Sequence, residues 1–383
     1  FKLWRVLNNK YFYFVRNYSK SNEKKVVKLK KNILISTGGS GGHVVPAEIL
    51  GDHLKKKFKI FISSDLRGIK YLNKKKDDCI VFNTPKLTLD FLIILKLFKV
   101  TYLIIKSYFF LKKNKIRKVF STGGYMSLPV CLSAYLLRID IYLLEPNVVL
   151  GRANKFFLKF CKKVFSQTAN LKNYPKKYKD KIQIIPPLVR KEFYEIKKLD
   201  NENKKFCFLV VGGSQGAEIF EKIVQNAMIN LSKNYEIQII QQTKGNNILK
   251  LQNTYEKENI KNFIFDFEIN FSNLIHQCDF CITRGGASTL AELSIMSKPF
   301  LAVPLLSSKD DHQFENANFY KNLNCCWLMN QKDFNTENLE LLLSNILKNR
   351  PEYDAKKENL KKLNFQNSWN NINQKLLTTI DEN

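Results

Sequence analysis

Short apolar runs that end in polar or glycine-rich residues recur along the chain. Asn32–Thr37 (NILIST) is the first; it reads as a buried strand, with a helix following from about Val45 to Lys56. Lys59–Ser63, Val119–Ser121 and Ile141–Leu144 are further predicted strands, with helices between them. That alternation predicts an α/β fold with a parallel sheet. The same opening returns at Phe206–Val211 (FCFLVV), which runs into Gly212, Gly213, Ser214, Gln215 and Gly216 before a helix near Ala217. Ile237–Gln241, Phe263–Phe265, Phe280–Thr283 and Phe300–Val303 continue the pattern. Two strand–glycine turn–helix openings predict two Rossmann-like domains, 32–199 and 200–383, with polar Asp200–Lys205 as the linker and the last helix packing back on the first domain. Residues 1–31 are set apart as an extension: Phe1 to Asn22 holds no acid, but several Lys, Arg and aromatic residues. A transit-like segment, a membrane-touching arm and spurious sequence are the alternatives there.

Leu87–Leu111 breaks the pattern. It is long enough for a membrane span, but Asp90, Lys96, Lys99 and Lys106 interrupt it, and a span is nearly free of charge. A helix or helix pair, partly buried and partly facing lipid, fits better. The competing expectation is an ordinary core helix with snorkelling lysines.

Length agrees with two domains, since 383 residues at roughly 100–200 per domain allow that number. The formal charge of +29 favours anionic partners: nucleic acid, an acidic membrane surface or phosphorylated substrates. Compositional bias toward Lys and Asn explains it as well. The eight cysteines are scattered, and Cys278-x-x-Cys281 has no second pair to make a zinc site, so reduced core thiols and no metal are expected.

Candidate chemistry sits on the glycine turns. Gly38-Gly39-Ser40-Gly41-Gly42-His43 follows a strand, where glycines admit a ligand to the backbone and a helix N-terminus offers N–H groups. His43 at that terminus is placed for base chemistry, its pKa lowered. Gly212–Gly216 can hold a diphosphate in the same way, with the Ser214 hydroxyl as a further donor. Arg284-Gly285-Gly286-Ala287-Ser288-Thr289 opens a third helix, on which Glu292 suits ribose hydroxyls. Each turn also has a plain structural reading as a tight turn.

The ordered set GGSGGH, STGGYMSLP, LEPNVVLGRANK, VVGGSQGA, RGGASTLAE and KDDHQFENA resembles the MurG family of bacterial N-acetylglucosaminyltransferases, over about Asn32 to Tyr320. The resemblance implies a GT-B fold with an acceptor domain followed by a donor domain. It implies transfer of N-acetylglucosamine from UDP-N-acetylglucosamine to lipid I, a muramyl pentapeptide on undecaprenyl diphosphate, without a cofactor. It places Gly39, Ser40, Gly41, Gly42 and His43 on the acceptor side, with Gly123, Gly124 and Tyr125 as that domain's second glycine turn, the two turns binding the acceptor and its diphosphate. Glu145, Asn147 and Asn154 would line the cleft. Arg190, Ser214, Gln215 and Gly216 would hold the donor phosphates, Arg284, Ala287, Ser288 and Thr289 would approach the nucleotide, Glu292 would take the ribose, and Gln313 and Asn316 would meet the donor sugar or ribose. The chain departs from the family at Leu144 and Pro146, at Pro186-Pro187-Leu188, at Gln241 and at His312, so no role carries to Leu144 or Pro146.

Glycosyl transfer needs a base, a stabilised anomeric centre and a supported leaving group. His43 is the candidate base and Glu145 the alternative. Asp266-Phe267-Glu268 is the nearest approach to a metal-binding D-x-D, and it falls in a predicted loop. A metal-independent, inverting reaction is therefore expected, at the cytoplasmic face of the cell membrane with the enzyme bound peripherally to an anionic surface. Rival readings are another GT-B enzyme, such as a diacylglycerol glycosyltransferase or a nucleotide-sugar epimerase, and a basic nucleic-acid binder. The last lacks a recognised module, so no nucleic-acid partner is expected.

Overall fold

The computed structural model describes residues 30–72, 79–86, 91–195, 205–212, 218–268, 270–305 and 311–381. The 1–29 extension, residues 200–204 of the expected linker, residues 307–310, and Ser214, Gln215 and Gly216 lie outside them.

The first half runs β1 (Lys31–Ser36), α1 (Gly41–Leu54), β2 (Phe58–Ser64), β3 (Cys79–Val81), α2 (Ile93–Lys113), β4 (Ile116–Ser121), α3 (Leu128–Leu136), β5 (Asp140–Glu145), α4 (Arg152–Phe157), β6 (Lys163–Ser166), β7 (Ile182–Ile184) and α5 (Glu192–Glu195). Its strands form a parallel sheet in the order β3-β2-β1-β4-β5-β6-β7. The second half runs β8 (Phe206–Val211), α6 (Glu218–Ser232), β9 (Ile237–Gln242), α7 (Ile248–Lys257), β10 (Lys261–Phe265), α8 (Phe271–Gln277), β11 (Phe280–Thr283), α9 (Ala287–Ile295), β12 (Phe300–Ala302), α10 (His312–Asn322), β13 (Trp327–Leu328), α11 (Thr336–Lys348), α12 (Arg350–Leu363) and α13 (Trp369–Asp381). Its parallel sheet has the order β10-β9-β8-β11-β12-β13.

Both sheets are covered on both faces, which is why their strands read as unbroken apolar runs. Alternate side chains of one strand go to opposite cores. Leu34, Val119, Ile141 and Leu143 meet Leu103 and Leu111 of α2 and Val130 of α3. Ile33, Ile35, Phe120 and Tyr142 meet Ala47, Leu50 and Leu54 of α1. Ile372, Leu376 and Ile380 of α13 enter that second core, so the final helix lies on the first half of the chain. Each fully buried large aliphatic or aromatic side chain contributes roughly 1.5–3 kcal/mol. His53 of α1 fixes α13 further: its ring stacks on Trp369 at 3.7 Å, and Nδ1 lies 2.7 Å from Asn373 Oδ1.

In each sheet the strand order reverses once, between β1 and β4 and between β8 and β11. Ligands of open α/β sheets bind outside the carboxyl ends of the strands at such reversals. The glycine turns after β1, β4 and β11 fall there, as does Gly212 at the end of β8.

Several sequence expectations need correction. The first helix begins at Gly41 rather than near Val45, so Gly41, Gly42 and His43 form its first turn. Glycines usually read as a loop, and Pro46 looks like a helix start. The short strands β3, β6, β7 and β13 had no expectation attached; all but the four-residue β6 are two or three residues long. Leu87–Leu111 resolves into one helix, α2, and not a pair; residues 87–90 lie outside the described residues. Only Val100, Leu103, Ser107 and Leu111 of α2 are buried. Ile94, Phe98, Tyr102, Ile105 and Phe109 form an opposite stripe at helical spacing, all more than half exposed. Among the described residues no helix is long and apolar enough to cross a membrane. All eight cysteines are unpaired and seven are buried, with burial raising the thiol of Cys131 to about 12.

Candidate active site

β1 and β4 pair so that Ser36 lies beside Ser121, which brings the two turns of the first half together. The Thr122 hydroxyl donates to the Thr37 hydroxyl at 2.8 Å. Gly38 and Gly39 have φ of +150° and +84°. A Cβ on Gly38 would come within 2.7 Å of Asp65 Oδ1 and 2.9 Å of Met126 Cγ, so only glycine fits. Ser40 caps α1 without a side-chain hydrogen bond, leaving its hydroxyl for a ligand.

His43 stands in the first turn of α1, half-buried. Its Nδ1 lies 2.7 Å from the Thr122 carbonyl. A carbonyl only accepts, so Nδ1 carries the proton and Nε2 keeps a lone pair. Burial lowers the pKa of this imidazole most; the Thr122 bond opposes that, and the nearby His312 charge lowers it further. The His43 imidazole is therefore neutral at physiological pH, with the Nε2 lone pair able to accept a proton. The influence of His312, the first residue of α10, brings the second half of the chain to the same place.

Glu145 ends β5 and is 1% exposed. Its carboxylate accepts from Asn147 N at 3.3 Å, Asn147 Nδ2 at 3.1 Å, Gly151 N at 2.9 Å and Asn154 Nδ2 at 3.0 Å. Burial raises its pKa, and these donors pull the other way. With its oxygens committed to four donors of its own loop, Glu145 builds the segment between β5 and α4 rather than standing open as a base. Asn154 is buried as well, and its Oδ1 is an acceptor without a donor, close to Gly123.

The second half supplies the facing wall. Gly285 passes against α10 so closely that a Cβ would meet the Gln313 carbonyl at 2.1 Å, whereas Gly286 opens onto free space and caps α9. Ala287, Ser288 and Thr289 form the first turn of α9. Ser288 Oγ is buried without a partner. It faces a pocket also lined by Glu145, Pro146, Ser166, Pro187 and Ala287, which draws on both halves of the chain. Gln242 holds Gly212 at the end of β8: its Oε1 accepts from Gly212 N at 3.1 Å, and its Nε2 donates to the Asp266 carbonyl at 3.0 Å. Asp266 in turn accepts from Gly245 N, and Glu268 from Asn270 N.

Other expected donor residues are engaged with the protein itself. Arg284 Nη1 donates to the Val303 carbonyl at 3.0 Å and to Gln331 Oε1 at 2.8 Å, over the Phe220 ring. It stiffens the turn before α9. Gln313 Oε1 accepts from Leu305 N. Asn316 is fully buried; its Oδ1 accepts from Val148 N at 2.9 Å, and its Nδ2 donates to Asn147 Oδ1 and the Gly285 carbonyl, both at 3.1 Å. It thus bridges the two halves. Arg190 Nη1 lies 3.4 Å from Glu292 Oε1, so the expected phosphate and ribose ligands face each other. Glu292 is 5% exposed; burial raises its pKa to about 7, Arg190 opposes this, and Glu192 adds to it.

Sequence reading missed Asp65, which follows β2 and accepts from Gly39 N at 2.8 Å and Gly68 N at 2.9 Å. An acid at the carboxyl end of the second strand is a known feature of nucleotide folds, where it meets ribose. Here it is spent on the glycine turn.

The surroundings of this cleft match known proteins. The description "Glycosyltransferase family 28 N-terminal domain" fits residues 33–166, and its C-terminal domain fits 207–372. The chain is 48% identical over 356 residues to the Pelagibacter ubique UDP-N-acetylglucosamine--N-acetylmuramyl-(pentapeptide) pyrophosphoryl-undecaprenol N-acetylglucosamine transferase, covering 93% of this chain and 100% of that one. The enzyme of the same name from Rickettsia bellii is 32% identical, covering 87% and 95%. Among solved structures, Acinetobacter baumannii MurG superposes with a TM-score of 0.70 at 23% identity, covering 87% and 95%. The UDP-GlcNAc 2-epimerase of Neisseria meningitidis bound to UDP-GlcNAc gives 0.63 at 13%, covering 92% and 100%. Both structural likenesses are of GT-B fold alone. Matches to both family domains, and near-half identity along a whole relative, extend over the cleft built above: the chain belongs to glycosyltransferase family 28.

Proposed function

We infer that the protein transfers N-acetylglucosamine from UDP-N-acetylglucosamine to a muramyl pentapeptide carried on undecaprenyl diphosphate, forming the disaccharide lipid used for peptidoglycan. The observation that carries this reading is a neutral, oriented His43 on the acceptor side, facing a wall of helix-start amides with Arg190 and Glu292. It joins the identity to the Pelagibacter ubique transferase named above. His43 Nε2 takes the proton of the muramyl hydroxyl as that oxygen bonds to the anomeric carbon. The bond from that carbon to the β-phosphate breaks on the opposite face, so the configuration inverts. Charge on the departing UDP is met by Arg190 and by the N-terminus of α9. Incubation with UDP-N-acetylglucosamine and a lipid I analogue tests the reading: the disaccharide lipid forms. An unchanged acceptor beside N-acetylmannosamine or UDP-N-acetylmannosamine would assign the cleft to epimerisation instead.

Donor binding carries its own pH signature. Glu292 titrates at about 7 in the free protein, and the ionised carboxylate is the better acceptor of ribose hydroxyls. Affinity for UDP-N-acetylglucosamine is expected to rise with pH through 7 and level off above it. Calorimetry between pH 5.5 and 8.5 reads this, and Glu292→Gln flattens the profile. The same shift makes folding favour the protonated form. Its contribution to stability is therefore fullest below the unfolded-state pKa of about 4.3 and is lost as pH rises toward 7.

The exposed stripe of α2, with Lys99, Lys106 and Lys113 along its edge at seven-residue spacing, supports peripheral docking on an anionic membrane surface, the cytoplasmic leaflet. Each lysine near such a surface adds about 1 kcal/mol, and inserted apolar side chains add more. The protein is expected to float with anionic vesicles, less so in high salt. Replacing Phe98, Ile105 and Phe109 by Ser reduces flotation while UDP affinity stays the same. Equal flotation of both proteins would remove α2 from the docking surface.

A further inference from the structure

The first glycine turn carries a cation to which the mechanism above gives no work. The Asp65 carboxylate, buried at the end of β2, holds the amides of Gly39 and Gly68 and also Arg67, through Nε at 3.0 Å and Nη2 at 2.9 Å. Arg67 Nη2 also donates to the Tyr125 hydroxyl, and the guanidinium carbon lies 5.3 Å from the centre of the Tyr125 ring. The Arg67 side chain is nevertheless 58% exposed. A solvent-exposed arginine ordinarily spreads over many rotamers. This one is clamped between a buried carboxylate and a tyrosine from the second glycine turn, and its Nη1 has no partner among the described residues. What is left for an anion is the positive charge and the two N–H groups of Nη1, held in a fixed plane, which suits a phosphate oxygen.

We propose that Arg67 binds the diphosphate of the acceptor at the rim of the Gly38–Gly42 turn, with Asp65 and Tyr125 holding its guanidinium in place. The proposal rests on the reading of the acceptor as a sugar on a lipid diphosphate. The contacts around Arg67 follow the order of the acceptor's own parts. His43 receives the sugar hydroxyl. Arg67 stands over Gly39, whose added Cβ would lie 3.9 Å from Nη2. Met126, beside Tyr125, floors the same turn, and its carbonyl accepts from the Thr84 hydroxyl. Phe82, two residues before Thr84, packs against Phe110 of α2 and lies beneath Lys106. The sequence base, cation, apolar helix thus parallels sugar, diphosphate, prenyl chain. The α1 N-terminus contributes amides to the same place; Arg67 adds a fixed positive charge and the Nη1 donors beside them, enough to favour two phosphates over one.

The test compares two acceptors on the full-length protein: a muramyl pentapeptide diphosphate with a short prenyl chain, and the corresponding monophosphate. Wild type is expected to prefer the diphosphate. In Arg67→Met the KM for the diphosphate acceptor rises about tenfold or more while that for the monophosphate changes much less, so the preference collapses. Donor KM stays near wild type, which shows that the variant is folded and keeps its donor site. Arg67→Lys, which keeps the charge without the clamp that fixes the guanidinium against Asp65 and Tyr125, falls between the two. An Arg67→Met enzyme with wild-type preference overturns the proposal. So does an equal loss with both acceptors, which is what a merely structural arginine gives, and so does an Arg67→Lys enzyme no better than Arg67→Met. If wild type itself glycosylates neither acceptor while binding UDP, the broader functional reading has failed, and this proposal with it.

Discussion

Replacing His43 by alanine lowers kcat by about 10²-fold or more and leaves UDP-N-acetylglucosamine affinity nearly unchanged. The loss follows from the general-base step, typically worth about 10²–10⁴-fold. Nε2 is the one ring nitrogen free to take a proton, because Nδ1 is committed to the Thr122 carbonyl. Donor affinity is spared because the expected donor residues Arg190 and Glu292 lie elsewhere in the cleft, joined to each other. The pH profile of kcat carries a second mark. With its pKa held below the usual imidazole value, His43 stays deprotonated to lower pH, so the acid limb of the wild-type profile falls below about 6.5. Steady-state kinetics across pH reads both effects. A His43→Ala enzyme with full kcat, or an acid limb that survives in it unchanged, would move the base to the substrate or to another group.

Glu145→Ala is expected to be the most damaging substitution to the protein itself, costing about 3–5 kcal/mol of stability together with nearly all activity. Four donors from Asn147, Gly151 and Asn154 converge on this carboxylate, and removing it leaves them buried without an acceptor. Glu145→Gln is no remedy. Its amide nitrogen would face at least one of these N–H groups, donor against donor, so it too loses stability. Denaturant unfolding separates this role from catalysis: a base can be removed at little structural cost, a loop organiser cannot. If Glu145→Gln unfolds like wild type and yet loses kcat, Glu145 acts on the substrate after all.

Much of this architecture was legible in the residues. NILIST and FCFLVV had to be buried strands, and glycine after each had to be a turn at a strand's carboxyl end; the ordered motifs then named the cleft. Contacts between residues distant in sequence stayed out of reach. Asp65 lies 26 positions from the Gly39 amide it holds, and no local period marks it. Glu145 looked like a rival base because a sequence shows a carboxyl group and not the four donors that occupy it. Arg284 and Asn316 looked like ligand contacts for the same reason; only the fold shows that Val303, Gln331, Asn147 and Gly285 already engage them. The face of α2 was half readable. Its charges argued against a span, but only packing against α3 and the first sheet decides which residues remain outside.

Asn316 has a further consequence. Its single amide holds the Asn147–Val148 segment on one side and the Gly285 turn on the other. A ligand that draws either segment away disturbs the partner that the other relies on. If donor and acceptor each move one of these segments, their affinities are coupled, and such coupling is symmetrical for equilibrium binding. In that case, whatever factor the nucleotide sugar imposes on the affinity for the lipid-linked sugar, the lipid-linked sugar returns to the nucleotide.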